Sequence, residues 1–244
     1  MKLEFRGKTA LILGGSSAIG LALTDLLLEE GLAVIPTHAS AQGRNAIQER
    51  HPDLGTGSPW LDLGDKGSLA CLTALLKTPV DYLIDLAQAD REVLLAAAAE
   101  ADMDAYFQTH IAHRLLLLKA VTRSMLPRRF GRLVHVSSTA AAQPAPGQGF
   151  YGAAKRAAEG LYQSLGLELG ARGITSLSLR LGLVDAGRGE RFLDLDGRRQ
   201  SLADKIVSVD QAAQTLLFLL SDQALALTCT TITMDAGLTA QKYA

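Results

Sequence analysis

A short apolar run, Thr9-Ala-Leu-Ile-Leu13, passes directly into Gly14-Gly-Ser-Ser-Ala-Ile-Gly20 and then into Leu21 to Glu30, a segment with helical periodicity. No other stretch of the chain narrows the possible folds so sharply. Five residues without an apolar/polar alternation suit a strand buried on both faces. The glycines allow a tight turn and a close approach of backbone. The helix that follows offers unpaired N–H groups and the positive end of its dipole. Strand, glycine-rich turn and helix in this order form a site for a pyrophosphate.

The rest of the chain repeats the alternation. Strands are predicted at Thr9–Leu13, Ala33–Thr37, Pro59–Asp62, Tyr82–Asp85, Arg132–Ser137, Thr175–Leu181 and Thr231–Met234. Helices are predicted at Ile19–Glu30, Arg44–Arg50, Gly67–Leu76, Met103–Leu126, Gly149–Gly170 and Asp210–Leu220, with a helix-prone alanine run at Ala96–Ala99. Strands interleaved with helices imply parallel βαβ units, right-handed crossovers and a sheet covered on both faces. No internal repeat or linker interrupts 1–244, so the expectation is one α/β domain, which 244 residues can supply with a large core. A net charge of −1 argues against general nucleic-acid binding. No apolar run is long enough to span a bilayer, and Met1-Lys-Leu-Glu-Phe-Arg6 lacks the apolar stretch of a signal peptide. Cys71 and Cys229, far apart in sequence, read as reduced thiols of a cytoplasmic protein, and no metal is called for.

A chemical signature lies in the second half. Tyr151 and Lys155 are four residues apart, so they share one face of a helix. An ammonium there favours the phenolate and is expected to lower the Tyr151 pKa. Ser138 follows the strand that contains Arg132-Leu-Val-His-Val136 and can bond the same substrate oxygen; Ser137 is a rival, and the thirteen-residue spacing to Tyr151 favours Ser138. The set points to proton transfer at a carbonyl or hydroxyl. A Pro/Gly loop, Gln143-Pro-Ala-Pro-Gly-Gln-Gly149, separates the serine from the tyrosine and can shape a substrate mouth.

With these residues the chain resembles the short-chain dehydrogenases/reductases, and among them is most similar to bacterial 3-oxoacyl-[acyl-carrier-protein] reductases. The resemblance runs from Gly7 to Gly237 and takes in the glycine-rich turn, Asp62-Leu63, Ser138, Tyr151, Lys155, Arg172-Gly-Ile174 and Asp235-Ala-Gly237. It implies a Rossmann-like, doubly wound parallel sheet of seven strands with helices on both faces. It implies hydride transfer from a nicotinamide to a ketone, with Tyr151 as proton donor, Lys155 on the tyrosine and the nicotinamide ribose, and Ser138 polarising the carbonyl. Cofactor contacts are expected at Gly14, Ser16, Ser17, Ile19, Gly20, His38, Asp62, Leu63, Ala87, Tyr151, Lys155 and Val184, with Asp62 at the adenine amine and Leu63 on the ring. The second strand leads into Thr37-His-Ala-Ser40 without an acid, and with Arg44 nearby this favours NADP(H) over NAD(H), although Ser17 stands where NADP-using relatives often have Arg.

Several positions depart from the family pattern. Leu13 replaces a Thr and Ala18 a glycine; Asp85-Leu-Ala-Gln88 stands for Asn-Asn-Ala-Gly; Leu181 and Ala186 replace a Pro and a Thr; Ala236 replaces a glycine. His110 replaces the catalytic helix Asn, and its carbonyl would keep a proton relay to Lys155 if the helix is kinked. The charged, irregular segment Gly187–Lys205, with Arg188, Arg191, Arg198 and Arg199 against Glu190, Asp194, Asp196 and Asp204, falls where relatives carry a substrate lid. Arg129 and Arg172, reinforced by Arg128 and Arg132, match positions that dock an acyl carrier protein. The leading expectation is NADPH-dependent reduction of a 3-oxoacyl or polyketide-like thioester. The alternatives are a free small ketone or cyclic alcohol as substrate, or a weakly catalytic partner subunit. The apolar helices, including Leu115–Leu118, imply a homodimer or homotetramer, with a hetero-oligomer as the alternative.

Overall fold

The computed structural model describes residues 2–195 and 202–240. Its main sheet contains β1 (Thr9–Leu13), β2 (Ala33–Pro36), β3 (Tyr82–Asp85), β4 (Gly131–Ser138), β5 (Ile174–Leu181) and β8 (Thr231–Met234). All pairings are parallel, in the order β2-β1-β3-β4-β5-β8. A separate two-stranded ladder joins β6 (Leu183–Val184) to β7 (Ile206–Val207). The helices used below are α1 (Ala18–Glu29), α2 (Ala41–Arg50), α6 (Glu100–Phe107), α7 (Arg114–Met125), α8 (Gly149–Leu169), α9 (Gly187–Leu193) and α10 (Val209–Leu220), where α3 (Pro52–Gly55), α4 (Lys66–Ala70) and α5 (Leu72–Leu75) are short connections.

The period-two geometry of strands divides the core between two layers. Ala10, Ile12, Tyr82, Ile84, Val134 and Val136 pack in one cluster with Leu23 and Leu27 of α1 and Leu216 and Leu220 of α10. Leu11, Leu13, Leu83 and Leu133 pack in another with Leu117, Leu118 and Val121 of α7 and Tyr162 of α8. Strands covered on both faces carry continuous apolar runs, which is why β1 is 0% exposed from Ala10 to Leu13. Helix starts are fixed by local caps: the Ser17 and Ser40 side chains accept from Gly20 N and Gly43 N, and Ser208 and Gln211 form a capping box on α10.

The main sheet has six strands where the sequence reading expects seven. Pro59–Asp62 forms only a single bridge, His38 to Trp60. Ala33 N and Thr37 N donate to β1, so Pro36 faces the outer edge, where it has no N–H to give a neighbour. Its carbonyl is met by the Ser58 hydroxyl at 2.7 Å, and only His38 N and Leu61 N complete main-chain bonds across the gap.

Three other expectations change. The helix predicted over Met103–Leu126 is broken into α6, a π-helical turn at Gln108–His113, and α7. The first third of Gly187–Lys205 is the ordered helix α9 rather than irregular chain; Asp196, Arg198 and Arg199 lie outside the described residues. Arg132 belongs to no surface patch: it is 0% exposed and donates to Leu219 O, to Ala224 O at 2.7 Å and to Thr175 Oγ1 at 2.9 Å. That burial pushes its pKa down to about 10. Arg128 is likewise engaged, with Asp81 and Val80 O. Among the described residues no helix is long and apolar enough to cross a membrane.

Candidate active site

The glycine-rich turn and the Ser/Tyr/Lys set meet at the C-terminal ends of neighbouring strands. β1 and β4 flank β3, so their ends lie about 10 Å apart across the sheet. Open α/β sheets bind ligands at this edge.

At the end of β1, Gly14 turns with φ +69, a left-handed conformation that suits glycine. A Cβ on Gly15 would come within 2.6 Å of Pro36 Cβ, so the turn lies tight on β2. An ideal Cβ on Gly14 would stand 3.4 Å from Ala87 N, which brings the loops after β1 and β3 side by side. Ser17 and Ala18 are exposed at the mouth of α1, Ser16 and Ile19 are half-buried, and Gly20 is buried. The first-turn N–H groups have no acceptor within the helix, apart from Gly20 N, which Ser17 Oγ accepts at 3.1 Å. The exposed backbone of this turn has the chemistry of a pyrophosphate cradle, with the Ala18 methyl at its mouth.

The other residues singled out in the sequence have the following surroundings. Asp62 carries Gly64 N on its Oδ1 at 2.8 Å. The Leu63 side chain is buried in the α7/α8 layer, and its carbonyl accepts from His113 Nδ1 at 2.6 Å; the backbone, not the isobutyl group, is what Leu63 offers a ligand. His38 is buried with Nδ1 against Ser58 Oγ at 2.9 Å, and burial, then the Arg44 charge, lower its pKa. Ser40 is occupied as the α2 cap, and Arg44 is exposed on the first turn of α2, close in sequence to that strand end. Val184 is buried in β6. Arg129, left-handed at φ 50, donates to Ala171 O at 2.9 Å, which brings it beside the exposed Arg172 on the far end of the sheet.

Ser138 closes β4, where its hydroxyl accepts from Ala140 N at 3.2 Å and lies close enough to the Tyr151 side chain to favour the phenolate. Ser137 is excluded from that role because its hydroxyl donates to Glu159 Oε1 at 2.7 Å. Lys155, 3% exposed one turn along α8, donates to Val136 O at 2.6 Å and lies 5.9 Å from the Tyr151 ring centre. Burial, then the Arg114 charge, bring the Lys155 pKa down to about 7. Tyr151 does not follow the sequence reading. Its pKa is raised, because burial outweighs the Arg188 cation and the Ser138 hydroxyl.

Three of the altered residues, Asp85, Gln88 and His110, share one network around Arg114. Arg114, 0% exposed at the start of α7, pairs with Asp85 and donates to Ala87 O at 2.6 Å, to Gln88 Oε1 at 3.3 Å and to His110 O at 3.1 Å. Asp85 also accepts from the Tyr162 hydroxyl at 2.8 Å and Ala87 N at 3.1 Å. The Gln88 amide donates to the Tyr106 hydroxyl at 2.7 Å, which holds its side chain in place. The kink expected at His110 is present as the π turn, a feature common at functional sites. The relay expected of it is altered, since the His110 carbonyl carries Arg114 Nε. Burial, then Arg114 and Lys155, push the His110 pKa down to about 3, so its ring is neutral and no proton donor near pH 7. Arg114 escaped the sequence reading. The signal was Asp85, an acid closing an otherwise apolar strand, which must find a buried cation.

Arg188 was also missed as a site residue. It projects from α9 with its guanidinium carbon 4.2 Å from the Tyr151 ring centre. Its Nε donates to Glu92 Oε1 at 2.9 Å, and Arg191 pairs with Asp90 at 2.6 Å, so α9 is fastened across the mouth of the site.

Comparison with known proteins agrees with this geometry. The profile described as short chain dehydrogenase matches residues 8–193. The chain is similar to the 3-oxoacyl-[acyl-carrier-protein] reductase FabG of Haemophilus influenzae, 32% identical over 239 residues, covering 96% of this chain and 98% of that one. It is similar to the FabG of Escherichia coli K12, 30% identical over 243 residues, covering 97% and 99%. Among solved structures, a short chain dehydrogenase/reductase family protein superposes with a TM-score of 0.83 at 31% identity, covering 98% of this chain and 100% of the other.

Proposed function

From the premise that the chain belongs to the short-chain dehydrogenase/reductase family, and is thus an NAD(P)-dependent oxidoreductase, we propose that it reduces a 3-oxoacyl or polyketide-like thioester, carried on an acyl carrier protein, to the 3-hydroxy product with NADPH. The observation that carries this reading is the placing of Ser138, at the end of β4, with Tyr151 and Lys155, one turn apart on α8, beside the phosphate cradle. The full-length similarity to two 3-oxoacyl-[acyl-carrier-protein] reductases supports the substrate class.

A nicotinamide cofactor, when bound, supplies the hydride for the carbonyl carbon. The backbone of Ser16–Ile19 would hold its pyrophosphate, Asp62 and Ala87 would flank the adenosine, and Lys155 would meet the nicotinamide ribose. Arg44 close in sequence to the end of β2, with no acid there, supports a 2′-phosphate. Ser138 donates to the carbonyl oxygen and so stabilises the charge that appears on it. Tyr151 transfers its hydroxyl proton to that oxygen; its raised pKa keeps it protonated, as a donor must be. Lys155, close to neutral pKa, is suited to pass a proton back to the phenol. Arg129 and Arg172, adjacent at one sheet end, suit an acidic carrier surface. Leu115, Leu116 and Leu167 are exposed on α7 and α8 while Leu117 and Leu118 are buried, so the leucine run serves the core on one side and supports pairing of subunits on the other.

The test is a titration of the purified protein with NADPH and NADH, followed by reduced-nicotinamide fluorescence, and then turnover of a 3-oxoacyl thioester. Tight NADPH binding with ketone-dependent oxidation is the expected result. Failure to bind either nucleotide refutes the reading.

A further inference from the structure

The cation in contact with Tyr151 is Arg188, from the lid helix, rather than Lys155. The Arg188 guanidinium stacks on the ring, its central carbon 4.2 Å from the ring centre, and its charge lowers the Tyr151 pKa. The Lys155 ammonium is 5.9 Å from the ring centre and gives a hydrogen to Val136 O. Arg188 is positioned from its other side by Glu92. The Arg188 side chain is 23% exposed and that of Glu92 57%, so the cation is sheltered on the tyrosine while its carboxylate partner is mostly in water. A guanidinium stacks on an aromatic face and donates in plane, a combination an ammonium lacks.

We propose that Arg188 is a catalytic residue, which takes up the negative charge left on the Tyr151 oxygen when its proton passes to the substrate. The proposal rests on the reductase reading above. In that step the Tyr151 O–H bond breaks, the proton joins the oxygen of the reduced carbonyl, and the electron pair stays on the phenolate, facing Arg188. The charged and titratable groups around Tyr151 are few. Arg188 and the Ser138 hydroxyl favour the phenolate; Asp90 opposes it; the Tyr106 phenol lies within electrostatic reach, itself raised to about 12; Lys155 comes from the same helix. Because Arg188 arrives on α9, which Arg191 and Asp90 also fasten, proton donation is competent only when the lid is closed.

Arg188→Met, Arg188→Lys and Arg191→Ala test this, with Tyr151→Phe in each background to isolate one phenol. Ultraviolet titration of the cofactor-free protein should place the Tyr151 midpoint about one to three pH units higher in Arg188→Met, as loss of an adjacent cation predicts, with partial recovery in Arg188→Lys. The pH profile of kcat on a 3-oxoacyl thioester should move in the same direction, with NADPH affinity unchanged. An unchanged Tyr151 midpoint in Arg188→Met overturns the proposal. So does an equal shift in Arg191→Ala, which would assign the effect to lid docking. If wild-type turnover persists unaltered in Arg188→Met, the proposal fails and the reductase reading survives; if wild type reduces no 3-oxoacyl thioester, that reading fails while the midpoint still reports on the contact.

Discussion

Asp85→Asn is the sharpest perturbation of the site's foundation. The exchange keeps the side-chain shape and leaves an oxygen for Arg114 and the Tyr162 hydroxyl, at the cost of the Ala87 N hydrogen bond, which the new NH2 cannot accept. What it removes is the counter-charge of Arg114. Both side chains are 0% exposed, so water does not screen the orphaned guanidinium. Breaking one partner of such a pair costs about 3–5 kcal/mol, against a total stability of about 5–15 kcal/mol for a domain. For a chain of this size the loss corresponds to a fall in Tm of about 6–20 °C. Urea titration at fixed protein concentration and pH 7 measures it directly. The double-mutant cycle with Arg114→Met completes the test: in that background Asp85→Asn should be neutral or stabilising, since it then removes an unpaired carboxylate. A loss under about 1 kcal/mol, or the same loss in both backgrounds, would refute a buried, mutually dependent pair.

Other expectations are as direct. Tyr151→Phe should abolish most turnover while NADPH still binds; retained turnover would remove the tyrosine from the proposed chemistry. His110 has a folded pKa of about 3 against 6.5 unfolded, so the unfolded chain binds the extra proton: its contribution to stability is whole above pH 6.5 and is lost as pH falls toward 3. Denaturant midpoints should therefore drop more for wild type than for His110→Gln, by about 2 kcal/mol between pH 6.5 and 5, and parallel curves would contradict this. In Gly189→Ala the new methyl would meet Val184 O, so β6 and α9 cannot both keep their places. Amide exchange across Leu183–Leu195 should accelerate; unchanged protection would show that the lid is held by other contacts.

The layers of the fold were legible in the sequence because periodicity reports burial. Continuous apolar runs marked β1 and β3, alternation marked β5, and the amphipathic pattern marked α8 and α10 within a residue or so. Where the outcome depended on hydrogen-bond direction, sequence was mute. Pro59–Asp62 has strand composition, yet Pro36 faces it without a donor. The two-residue β6 and β7 fall below any periodic signal. At the candidate site, spacing alone puts Tyr151 and Lys155 one turn apart on α8 and Ser138 at the end of β4, where the structure has them. Arg114 was hidden in Arg114-Leu-Leu-Leu-Leu118, where an arginine reads as a helix surface residue, and Arg188 was one charge among nine in Gly187–Lys205. The direction of the Tyr151 shift was misread because spacing along a helix gives proximity but not desolvation.

The buried network also bears on how this chain differs from its relatives. Asp85, Gln88, His110 and Arg114 touch one another, directly or through Arg114. An arginine introduced at 114 without the acid at 85, or the acid without the arginine, would strand a buried charge and bring the fold close to its stability limit. The four side chains therefore stand or fall together: Asp85, Gln88 and His110 are parts of one device built around Arg114, and none can be returned to a family residue without a compensating change at another.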